Sequence, residues 1–66
     1  MRLTDFWDRM ERTFGPGYAS SVAADQVIPQ LAGRTVDQAI GEGENTAAVW
    51  RAVCQAYPDR VPSKLR

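Results

Sequence analysis

The sequence predicts an all-α fold, a compact bundle of three to four short helices. Three observations predict it. Apolar residues recur at helical spacing near both ends of the chain, Gly and Pro clusters separate the periodic segments, and Thr35-Val36-Asp37-Gln38 spells a capping box.

The first helix is expected to begin at Thr4, a good N-cap, with Asp5 and Asp8 in the turns where the helix dipole favours negative charge. Gly15-Pro16 ends it. Leu3, Phe6, Trp7, Met10 and Phe14 fall in one arc of about 100°. The opposite side offers Asp5–Arg9 and Asp8–Arg12, spaced i,i+4 with the acid first. A second, weaker helix is expected from Tyr18 to Val27, because Pro29 keeps Ile28 out of the helical region. Its alanines allow close approach to a neighbour but supply little core.

Gln30 to Arg34 reads as a connector, with Gly33 free to take a positive φ. The capping box then opens a short helix whose Val36, Ala39 and Ile40 point inward before Gly41-Glu42-Gly43 closes it. The last helix starts near Asn45 or Thr46 and stops at Tyr57-Pro58. Its stripe of Val49, Trp50, Val53, Cys54 and Tyr57 spans about 140° of the helical wheel. The division expected is a single helical domain over residues 1–58, followed by a basic, flexible tail over 59–66.

A chain of 66 residues buries a smaller share of its surface than a larger domain does, so its stability is only a few kcal/mol. Small domains are commonly reinforced by disulfides, a metal or a partner. One cysteine, Cys54, makes no internal disulfide, and a lone thiol suits a reducing cytosol. With no histidine and one cysteine, the usual zinc ligands are missing, and no cofactor or metal is expected. A partner or a second copy is the reinforcement left.

Eight basic residues offset eight acidic ones, which lacks the electrostatic footprint of a dedicated nucleic-acid binder. The charge is nevertheless uneven: Asp37, Glu42 and Glu44 make the middle acidic, while Arg60, Lys64 and Arg66 make the end basic. No apolar targeting region follows Met1, and no apolar run reaches the ~20 residues of a membrane span. The expected location is the cytoplasm, away from membranes.

Without histidine, Ser-His and Cys-His nucleophiles are out of reach, and the acids of the middle segment belong to a cap and a turn. Cys54 sits in an apolar stripe and reads as core. Trp7 and Trp50 read as the central packing pair, with Trp7 at the border of its stripe, where an interaction hot spot would also lie. Residues Gly33 to Ile40 resemble a turn entering a DNA-recognition helix. Against that, Pro29 falls inside the first helix of such a motif, and Asp37 would face phosphates.

Met1-Arg2-Leu3-Thr4-x-Phe6-Trp7, Arg9-Met10-Glu11, Phe14-Gly15, Gly33-Arg34-Thr35-Val36 and Val49-Trp50-Arg51-Ala52-Val53-Cys54 together resemble a small actinobacterial family classed as a domain of unknown function. The resemblance implies a stand-alone cytoplasmic helical protein of a kind often encoded near the recombinase RecA and its regulator RecX. It implies no activity for any named residue. The expected function is a non-enzymatic protein-interaction module using Trp7, Arg34 and Arg51 toward an unknown protein partner or its own copy. The alternative is a nucleic-acid-binding accessory protein linked to DNA repair or its regulation, using Arg34, Gln38, Arg60, Lys64 and Arg66.

Overall fold

The computed structural model describes residues 1–66. Helix α1 runs over Leu3–Phe14, α2 over Ala19–Asp25, α3 over Val36–Gly41 and α4 over Thr46–Ala56. Between α2 and α3 lie two short strands, β1 (Val27–Ile28) and β2 (Arg34–Thr35), joined by a 3-10 turn at Pro29–Leu31. A second 3-10 turn covers Ser63–Leu65. The four helices agree with the sequence, but the small sheet means that the fold is mostly helical and not all-α.

The sheet has a local cause. Gln26 leaves the helical region at φ −89°, ψ 117°, ending α2 before Val27. Pro29 then holds Ile28 extended at φ −111°, ψ 116°. Ala32 and Gly33 both take positive φ, 59° and 77°, which reverses the chain. The two strands pair antiparallel, Val27 with Thr35 and Ile28 with Arg34. Val27, expected to be the last residue of α2, is therefore a strand residue and 59% exposed.

Ala32 carries backbone strain here, since a side chain in the left-handed region costs about 1–2 kcal/mol. Its side chain is exposed and covers no core. Ala32→Gly is expected to stabilise the fold by about 0.5–1 kcal/mol, the relief outweighing the extra freedom glycine gives the unfolded chain. A thermal melt should move upward by about 2–6 °C, and a lowered midpoint would reject the strain assigned to this turn.

Helix α1 starts one residue earlier than its apparent cap. Arg2 is the N-cap residue and makes no side-chain cap, so Thr4 lies within the first turn. Asp8 pairs with Arg12 at 3.1 Å, as its spacing implied. Asp5 instead meets Arg2 at 3.4 Å, which leaves Arg9 for another partner. The start of α3 is as read: the Thr35 hydroxyl accepts from the Gln38 amide at 3.1 Å, and the Gln38 side chain accepts from the Thr35 amide at 2.8 Å. Asn45 caps α4, its Oδ1 accepting from the amides of Ala47 and Ala48.

Helix α4 is the central element, packed against α1, α3 and the first 3-10 turn, while α2 packs on α1 and α3. Phe6, Met10, Ile28, Val36, Val49 and Val53 are the largest side chains wholly removed from water. The two tryptophans do not stack on one another. Phe6 stands between them, edge-on to Trp7 at 5.4 Å and to Trp50 at 6.0 Å. The buried Thr13 hydroxyl has no hydrogen-bond partner.

The segment expected to be a flexible tail is packed. Val61 is 4% and Leu65 8% exposed, both within the same core as Phe6 and Trp50. The Leu65 carbonyl accepts from the Trp50 indole N–H at 2.8 Å and from the Arg9 guanidinium at 3.3 Å. Val61 and Leu65 are spaced four apart, and the turn after Tyr57 returns both to the core. The core thus continues past residue 58.

Candidate functional site

The three residues singled out in the sequence fall on three different parts of the molecule. Trp7 lies on α1, half-buried and packed against the core. Arg34 lies on β2 and Arg51 on the solvent side of α4. No hydrogen bond, ion pair or ring contact links them.

Arg34 is the most heavily engaged of the three. Its Nε donates to the Leu31 carbonyl at 2.8 Å, Nη1 to Glu42 at 2.6 Å and Nη2 to Glu44 at 2.6 Å. These bonds, to Glu44 first and Glu42 second, push its pKa above the ordinary guanidinium value. The guanidinium fork therefore ties the first 3-10 turn to the Gly-rich connection between α3 and α4. Two of the three acids that make the middle of the chain acidic are spent here. Arg34 is accordingly removed from any set of residues free to meet phosphate, and Gln38 is held by the α3 cap.

Trp7 keeps its position at the border of the α1 stripe. One turn before it, Leu3 is 46% exposed, and Met1 is 44% exposed. The Thr46 hydroxyl donates to the Met1 carbonyl, which ties the chain start to the first residue of α4. The result is an apolar edge, Met1-Leu3-Trp7, fixed from below by Phe6 and at its end by Thr46. Tyr18 and Val27, the other large apolar residues in water, belong to other elements, the start of α2 and β1.

Cys54 is half-buried and free. Burial raises its thiol pKa, and the charges of Arg66 and then Arg9 oppose that rise without cancelling it. The thiol is thus held toward its protonated, less nucleophilic form, consistent with packing on the core cluster. No pocket opens anywhere on the surface. No group of three or more Cys, Asp or Glu side chains is placed to share a metal ion. No helix is long and apolar enough to cross a membrane.

What the sequence did not reveal is the company kept by the last residues. Arg66 donates to the Pro58 carbonyl, and the Arg60 guanidinium lies 5.2 Å above the Phe14 ring, which itself meets Tyr57 edge-on at 5.2 Å. With Arg9 bound to Leu65, these contacts collect cations from α1 and from the C-terminal segment along that segment. The apolar pair Val61 and Leu65, four residues apart among charged neighbours, was the signal that could have shown it.

Residues 1–64 match the family described as "Protein of unknown function (DUF3046)". No curated protein and no solved structure matches the chain.

Proposed function

The chain belongs to this family, which supplies kinship without an activity, and from that premise we propose that it is a non-enzymatic protein-interaction module. The observation that carries the reading is the fixed apolar edge of α1. Leu3 and Trp7 are one helical turn apart, so they form a continuous strip, and Met1 extends it. In a chain this small, the exposure of two large apolar side chains beside a half-buried tryptophan withholds area that the core could use. A rigid aromatic anchored from behind is the usual centre of a binding hot spot, because little side-chain freedom is lost on binding. Here Phe6 does the anchoring.

The non-enzymatic part of the proposal rests on chemistry. The chain has no histidine, its one thiol is held up in its protonated form, and its most perturbed cation is saturated by two glutamates and a carbonyl. Arg51, exposed and without an ion-pair partner on α4, is available to a rim contact.

Leu3→Glu tests the edge without attacking the core, since the side chain it replaces is exposed; stability should change by no more than about 0.5 kcal/mol. Light scattering across a concentration range and affinity capture should show an association that wild type makes and Leu3→Glu loses. Tyr18→Ser, at an exposed apolar site outside the edge, should keep it. A monomer at all concentrations, with the same proteins captured by wild type and Leu3→Glu, would remove the proposal.

A further inference from the structure

We propose that the C-terminal end of the molecule is a second docking site, built from Arg9, Arg60, Lys64 and Arg66, for an acidic segment of a protein partner. The charge distribution is the first support. The ion pairs of the fold engage Arg2, Arg12 and Arg34, and none engages Arg9, Arg60, Lys64 or Arg66. Glu42 and Glu44 are already engaged by Arg34, whereas Arg9, Arg60, Lys64 and Arg66 lie on or against the C-terminal segment without an ion pair.

The second support is preorganisation by neutral partners. Arg9 is held by the Leu65 carbonyl, Arg66 by the Pro58 carbonyl, and Arg60 by the face of Phe14. These contacts fix the side chains and leave their charges uncompensated, which is the state that a carboxylate can exploit. The partly buried Cys54 thiol senses the charges of both Arg66 and Arg9, so the two cations come from different elements yet share one locality. Asp59, next to Arg60, and Asp8, next to Arg9, make no ion pair with any of the four.

Size and sign favour an acidic peptide over a nucleic acid. The molecule measures 26 × 21 × 21 Å, so an extended stretch of about seven residues spans it. A long polyphosphate gains affinity in proportion to the phosphates neutralised, and here it would run from four cations toward a neutral or acidic surface. A short run of Asp and Glu meets only the basic end. Trp7 and Arg9 lie about 200° apart around α1, so this site and the apolar edge occupy opposite flanks of the helix.

Fluorescence anisotropy with a labelled Glu-rich peptide of about ten residues at about 20 mM salt tests the site, screening being weakest there. The expected result is saturable binding that weakens as salt rises, with Lys64→Glu weakening it about tenfold and Arg2→Glu, the same charge change at the chain start, less than twofold. Lys64 is exposed, so the variant retains the fold. Three outcomes overturn the site: no peptide binding at this salt, equal losses from the two variants, or tighter binding of a single-stranded oligonucleotide of equal charge. Each would leave the apolar-edge experiment with Leu3→Glu unaffected.

Discussion

Replacing Phe6 by alanine is expected to leave the chain largely unfolded at 25 °C. Phe6 is fully buried and is the ring against which both tryptophans set their edges. Truncating a buried phenylalanine costs about 3–5 kcal/mol, from the lost transfer of the ring and from the cavity left behind. A domain of this length has a total stability of roughly 3–10 kcal/mol, and one without disulfide or metal lies toward the low end. The loss is therefore comparable with everything that holds the fold. Phe6→Leu keeps most of the volume and should cost about 1–2 kcal/mol, with a cooperative melt at a lower midpoint. Far-UV circular dichroism of the two variants separates the cases. Native helicity and an unchanged midpoint in Phe6→Ala would mean that the ring is not central.

Helices α1 and α4 were legible because burial imposes a 3.6-residue period on twelve and eleven residues respectively, long enough for the pattern to show. The start of α3 was legible for a different reason: Thr35 and Gln38 satisfy each other's backbone amides, a purely local exchange that needs no distant partner. The two-residue strands were not legible. They carry no period, and what pairs them is a proline before the turn and two positive φ values within it, one of them at an alanine. Propensity alone would not place Ala32 there.

The candidate residues divide along the same line. Trp7 at the border of its stripe follows from helical geometry, and the structure leaves it there, half-buried. Arg34 could not be assigned from sequence, because its partners Glu42 and Glu44 come from a turn whose path depends on α3 and α4 packing together. The basic end required still longer-range information. Arg9 was expected to pair with Asp5 within α1, and only the return of Leu65, 56 residues later, gives it a different partner.

That return gives the second large expected effect. Ending the chain at Pro58 removes Val61 and Leu65 from the core, and each such aliphatic side chain contributes about 1.5–3 kcal/mol when buried. Trp50 loses the acceptor of its indole N–H at the same time, although water reaches it once the segment is gone, so the burial term dominates. The expected sum is about 3–6 kcal/mol, similar to the Phe6→Ala loss. Leu65→Ala isolates half of it and should cost about 2 kcal/mol with the fold retained. Lys64→Ala, an exposed neighbour in the same 3-10 turn, should be neutral within about 0.5 kcal/mol. The indole N–H of Trp50 supplies a local readout: its hydrogen exchange should be slow in the full chain and fast in the chain ended at Pro58. If the shortened chain melts with the full-length midpoint, residues 59–66 are a solvated appendage after all, and the docking end built from Arg9 and Arg66 loses the scaffold that holds it.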